Sequence, residues 1–308
     1  MNLSVTIPSS TGNIHLKNPL MPAAATMGNL IEHAKYFDLN ELGALLPNSM
    51  FIDTGSPTTA KKIYKTNNGF ISALSKNNMS IFEFEKEILP QLPYDTTPII
   101  IDMKAADMDQ MEKLSGAISQ MDKIRGIEIN LNCPYGPGTP YWKNPSELKE
   151  LVSRVRKAAP NKWLIAKVPG GDIPVEEISI ACADGGADAI TSYSSLNGSC
   201  IDICTGKYMC GGGGSGGFSG PAFKPVGILM CRRAAAAVDI PVIGIGGISC
   251  AEDVIEYIMA GAYAVQVGSA NLSRPDFMHK LLKDLEQLTE KMGISSFDSI
   301  RGIAEIEH

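Results

Sequence analysis

Alternation constrains this chain more than any other feature. Short apolar runs rich in β-branched residues recur along its 308 residues, and a longer stretch with helical spacing follows each one. That order is the mark of parallel βα units, because two parallel strands need a crossover long enough to hold a helix. Strand candidates start at Pro19 (PLMPAA), Gly43 (GALLPNSMF), Pro98 (PIIIDM) and Ile127 (IEINLN), and continue at Trp163 (WLIAKVP), Asp188 (DAITSYS), Pro241 (PVIGIGG) and Ala264 (AVQVGS). Among the helix candidates, NPSELKELVSRVRKAA from Asn144 offers Asn144 or Ser146 as a cap and repeats apolar positions three and four apart. Eight strands with eight following helices predict an α/β fold, a (β/α)8 TIM barrel forming one domain over residues 1–308. The rival, a doubly wound open sheet, lacks its early G-x-G-x-x-G fingerprint. LSVTIPSSTGNIHL alternates about a Gly-Asn turn and predicts an N-terminal β-hairpin at the barrel floor.

Composition narrows the class. With 44% hydrophobic and 19% charged residues the chain has enough apolar material for a large core. A net charge of −6 argues against a nucleic-acid surface while leaving room for a local cationic pocket. The start, MNLSVTIPSSTGNIHL, has no basic region followed by an apolar run, and no stretch approaches a membrane span, so a cytoplasmic protein with no membrane contact is expected. The seven cysteines are then reduced thiols. Cys200, Cys204 and Cys210 cluster without matching a zinc template, and His15, His33, His279 and His308 are scattered, so no metal site is expected.

In a barrel of this kind the chemistry sits where strands end and loops begin, at the C-terminal face. Two loops there are long, from about Thr54 to Asn78 and from about Asn197 to Phe223, as loops over a site often are. The seventh and eighth strands end in glycine-bearing turns, at Gly246 and Gly247 and at Gly268 and Ser269, which predicts a phosphate on bare amides and helix N-termini. Lys167 ends the fifth strand and is placed to stabilise an anion such as a reduced flavin, or to form a Schiff base if its pKa is depressed. Cys133 follows the fourth strand on a loop with two prolines and two glycines, a setting for a reactive thiol or for a small buried residue. The run GGGGSGGFSGPAFKP from Gly211 reads as a mobile flap over a ligand.

Together these segments resemble the dihydroorotate dehydrogenase family, particularly its soluble class 1 members. KNPLMPAAATMG, IEINLNCPYGPG, AKVPG, GGFSGPAFKP, IPVIGIGGI and AVQVGSAN match its motifs in order over nearly the whole chain. The resemblance implies FMN above the strand ends, its phosphate at the turns of Gly246, Gly247, Gly268 and Ser269. Further cofactor contacts are implied at Ala23, Ala24, Asn48, Asp102, Asn130, Lys167, Ser194 and Gly220. Cys133 is implied as the active-site acid or base, with Lys167 beside the flavin. A homodimer is implied too, and the tail MGISSFDSIRGIAEI is reminiscent of class 1B members that work with an iron–sulfur flavoprotein partner.

The substrate pocket departs from the pattern. Asn48 stands where the family usually has a lysine, Ser72 and Tyr135 where it has asparagines, Ser194 and Ser195 where it has Asn-Thr or Asn-Ser, and Asp102 near the flavin where an asparagine is common. Asn48, Ser72, Asn130, Tyr135, Ser194 and Ser195 are the expected substrate-binding residues. Each unmet polar contact to orotate costs on the order of 1–3 kcal/mol. The sequence therefore predicts an FMN-dependent oxidoreductase acting on a CH–CH or C=C bond beside a carbonyl or amide of a different small molecule. Three alternatives stand beside it: a genuine dihydroorotate dehydrogenase, a phosphosugar-type barrel without FMN that uses Lys167, and a non-catalytic electron-transfer subunit.

Overall fold

Strands whose residues are all buried have to be covered on both faces, and six segments of this chain meet that condition. Ile100–Met103, Gly126–Asn130, Trp163–Lys167 and Val242–Ile245 are the four of at least four residues, and the three-residue strands Leu20–Pro22 and Ala189–Thr191 are buried throughout as well. They belong to a seven-stranded parallel sheet that also contains Ala262–Val267. The fold is that of a computed structural model, which describes residues 3–53, 63–72, 79–132, 139–171, 173–209 and 214–305.

The sheet curls so that its two edge strands, Leu20–Pro22 and Ile100–Met103, meet across residues 43–50. Gly43 N–H donates to the Leu20 carbonyl at 3.0 Å on one side, and Leu45 N–H to the Pro98 carbonyl at 2.9 Å on the other. Closure is therefore of the (β/α)8 kind, with one departure from the eight expected strands. Residues 43–50 make only isolated bridges, Leu45 with Ile99 and Met50 with Met103, because Pro47 has no N–H and interrupts the ladder.

The helices follow the same logic of cap and stripe. Pro145–Ala158 starts where the Asn144 side chain accepts from Ser146 N–H at 3.1 Å, with Pro145 in the first turn, so Asn144 rather than Ser146 is the cap. Leu148, Leu151, Val152 and Val155 form its buried stripe. The first crossover departs from the expected helix. Leu30 sits at φ 77°, outside the helical region, and two single 3-10 turns, His33–Lys35 and Leu39–Glu41, take the helix's place.

The N-terminal hairpin pairs Val5–Ile7 with Ile14–Leu16 in antiparallel register, its alternate residues buried. Asp188 anchors it at the start of the sixth strand position. One carboxylate oxygen accepts from Ser10 N–H at 2.8 Å, and the other from Leu164 N–H at 2.8 Å and from Arg156 at 2.5 Å. Hairpin, strand and helix thus meet on one buried carboxylate at the floor. Asp188→Ala leaves Arg156 and two amides without their acceptor and is expected to cost about 3 kcal/mol of stability. Equilibrium urea unfolding measures that loss, and a change within error would remove Asp188 from this role.

Candidate active site

At the C-terminal face the strands open into one cavity of about 280 Å³. Its wall collects residues from almost every strand position, as barrel geometry requires of side chains at successive strand ends. Ala23, Ala24 and Asn48 come from the first two positions, and Asp102 and Asn130 from the next two. Lys167, Ser194 and Ser195 follow, and the turns of Gly246, Gly247, Gly268 and Ser269 complete the ring. Ser72 reaches the wall from the first long loop. Gly220 is the exception among the described candidates. It packs away from the cavity, where a Cβ would lie 2.6 Å from the Asn68 carbonyl, while its neighbours Ser219 and Phe223 line the wall. Cys133, Tyr135 and Cys210 lie outside the described residues.

The two long loops cover the cavity jointly. Ile63–Thr66 and Gly69–Ser72 from the first pair with Gly216–Ser219 and Leu196–Gly198 from the second in a four-stranded antiparallel sheet. Gly217 stands opposite Ser72, and Phe218 opposite Ile71. The second half of the glycine-rich run is thus a strand rather than a free flap, because its backbone groups find partners in the other loop. Ile63, Ser72 and Ser219 face the cavity from this cover.

Beneath the mouth lies a buried polar cluster. Lys167 Nζ donates to Glu128 Oε2 at 2.9 Å and to Gln266 Oε1 at 3.0 Å. Thr191 Oγ1 donates to Glu128 Oε1 at 2.7 Å, and Gln266 Nε2 donates to the same oxygen. Burial pulls the Lys167 pKa down, but Glu128 and then Asp102 push it up further and leave it above the ordinary lysine value. Lys167 therefore stays an ammonium, which counts against Schiff-base chemistry and suits the stabilisation of an anion. Glu128, Thr191 and Gln266 escaped the sequence reading. The signal of Glu128 and Gln266 was a polar residue at an inward position of an apolar strand, in IEIN and AVQV.

The implied FMN can be tested against this wall. Gly246 and Gly247 have φ of 119° and 68°, and a Cβ on Gly247 would lie 2.4 Å from Lys224 N, so the turn rests directly on the first residue of helix Lys224–Ala237. Bare backbone against a helix N-terminus is where a phosphate is held well, and a protonated lysine lies elsewhere in the same wall. These residues fit the cofactor.

Asp102 is fully buried in this wall. Asn130 Nδ2 donates to its Oδ2 at 3.3 Å. Burial raises its pKa above the ordinary carboxylate value, against the opposing pull of Lys167 and Lys104.

A family model described as dihydroorotate dehydrogenase matches residues 5–289. Three similar proteins bear the name dihydroorotate dehydrogenase B (NAD(+)), catalytic subunit. The protein from Solidesulfovibrio magneticus is 36% identical over 93% of this chain and 94% of its own length. That from Geotalea uraniireducens is 34% identical over 94% and 95%. That from Carboxydothermus hydrogenoformans is 33% identical over 99% and 98%.

An acid whose pKa is higher in the folded than in the unfolded state binds its proton more tightly when folded, so stability falls as pH rises between the two values. Asp102→Asn removes that loss. Its stability relative to the parent should rise as the pH climbs above the ordinary carboxylate range, measured by urea unfolding at fixed flavin load. A pH-independent difference would show that the Asp102 pKa is not raised.

Proposed function

We propose, since this chain belongs to the dihydroorotate dehydrogenase family, that it is a catalytic subunit oxidising dihydroorotate to orotate. Members of the family are FMN-dependent oxidoreductases acting on CH–CH bonds. The observation that carries the reading is the gathering of protonated Lys167, Asn130 and the glycine turns at Gly246 and Gly268 in one wall. The names of the relatives support dihydroorotate as substrate and NAD+ as the final acceptor.

When bound, FMN supplies the acceptor for the hydride that leaves the substrate. The protein's own residues do the rest. Cys133, three residues beyond Asn130, takes the proton from the neighbouring carbon, so the C=C bond forms as one hydride and one proton depart. Asn130 hydrogen-bonds the substrate ring. Lys167 supplies fixed positive charge to the anion that develops, and Glu128 and Gln266 hold that ammonium in place. The covering sheet limits access of water.

The word "subunit" in the relatives' name supports a partner that carries electrons onward, here an iron–sulfur flavoprotein docked on a homodimer of this chain. Among the described residues no helix is long and apolar enough to cross a membrane.

A second reading keeps the chemistry and changes the substrate. It is favoured by Ser72 and Ser194, which line the wall at positions read as amides in the family. Anaerobic titration of the flavin separates the two. Dihydroorotate is expected to bleach it, whereas bleaching by other dihydropyrimidines or by enones but not by dihydroorotate would establish the second reading. Loss of the Cys133 base is expected to slow flavin reduction by about 100-fold or more. Stopped-flow reduction of Cys133→Ser at full FMN occupancy tests this, and an unchanged rate would exclude Cys133 from proton transfer.

A further inference from the structure

The glycine turn after strand Val242–Ile245 is held from behind by a tyrosine that the strand pattern does not single out. Tyr257 lies on helix Ala251–Met259 and is fully buried. Gly246, Gly247 and Ile248 line the cavity, and Tyr257 does not. Its hydroxyl donates to the Gly246 carbonyl at 2.7 Å and to the Ile245 carbonyl at 2.9 Å. A hydroxyl has one proton, so the two carbonyls share it in a three-centre bond. Burial pushes the Tyr257 pKa up, and the group stays a donor.

The chain makes room for this side chain at two places where glycine is unfavourable. Gly227 sits within helix Lys224–Ala237, and a Cβ there would lie 2.0 Å from the Tyr257 hydroxyl. Gly244 sits within strand Val242–Ile245, and a Cβ there would lie 2.4 Å from the ring. Glycine weakens helix and strand interiors alike, so both elements lose intrinsic stability where this tyrosine passes. A phenyl ring alone would fill the same space. What the hydroxyl adds is a hold on two successive carbonyls.

That hold fixes where an amide points. A peptide unit is planar and trans, so its N–H is directed opposite to its C=O. With the Gly246 carbonyl drawn toward Tyr257, the Gly247 N–H is turned away from the helix behind it, on the side where these residues line the cavity. Among the described residues this N–H meets no backbone acceptor. Asp253, one helical turn before Tyr257, grips the other side of the turn. Its Oδ2 accepts from Ser249 N–H at 2.7 Å and from Cys250 N–H at 3.1 Å, while its Oδ1 meets Lys224 Nζ at 2.8 Å. Two residues four apart share a helix face, so one helix clamps the segment on both sides of Gly247.

We infer that Tyr257 is a positioning residue for the phosphate of the cofactor: its hydroxyl holds the Gly246 carbonyl back and so aims the Gly247 N–H at the phosphate. The inference rests on FMN as the cofactor and is independent of the substrate proposed above.

FMN and riboflavin differ only in the phosphate, so their affinities separate this role from packing. The full chain, freed of flavin, is titrated with each. The parent is expected to bind FMN at least about tenfold more tightly than riboflavin, and Tyr257→Phe to weaken FMN about tenfold with riboflavin unchanged. In the FMN-loaded variant the phosphorus-31 resonance of the flavin is expected to move while the visible spectrum stays. Gly227→Ala keeps the tyrosine but puts a methyl where its hydroxyl lies, and the same selective loss is expected; this variant decides the matter if Tyr257→Phe does not fold. Equal affinities of the parent for the two flavins overturn the inference without any variant. So does a loss that falls equally on FMN and riboflavin, or an unchanged affinity for FMN in a folded variant. Failure of dihydroorotate to bleach the loaded parent would remove the proposed substrate and leave the role of Tyr257 standing.

Discussion

The ion pair between Lys167 and Glu128 is the interaction on which the mouth of this barrel depends. Both side chains are buried, and taking two charges out of water is repaid only when geometry and extra hydrogen bonds satisfy what remains. Here the remainder is met by Thr191 and Gln266, so four strands are tied through one carboxylate: Gly126–Asn130, Trp163–Lys167, Ala189–Thr191 and Ala262–Val267. Loss of either charged partner would strand the other in a low-dielectric interior. The functional consequence of the cluster is a permanent cation just below the cavity.

Around that cation the wall divides into two ends. At one, glycine turns rest against a helix N-terminus and present backbone to an anion without needing a charged side chain. At the other, Lys104, Asp102 and the side chains of Asn48 and Ser49 provide charge and hydrogen bonds. A phosphorylated cofactor makes the first of those demands. The cover is built by pairing two distant loops, which satisfies their backbone groups and closes the space above both ends.

Much of this was legible in local pattern. Continuous burial in IIDM, GIEIN and WLIAK showed as apolar runs, and the Asn144 cap with its stripe of Leu148, Leu151 and Val155 showed as spacing. Lys167 was legible because it ended such a run. Pro47 carried the warning that the second strand would be irregular, yet its effect depends on a ladder with neighbours that only the folded barrel supplies. The cross-pairing of residues 63–72 with residues 196–219 left no signal at all, since antiparallel partners so far apart share no periodicity.

The sequence by itself determined the barrel, the order of its strand ends and the membership of the family, because alternation, capping and motif order are properties of neighbouring residues. Only the tertiary structure decided which of those ends form one wall, that Glu128 and Asp102 hold Lys167 protonated, and that Lys104 is buried. The reason is physical: proton affinity and the cost of a buried charge are set by groups that approach through space, and strands far apart in the chain become neighbours only when the sheet closes.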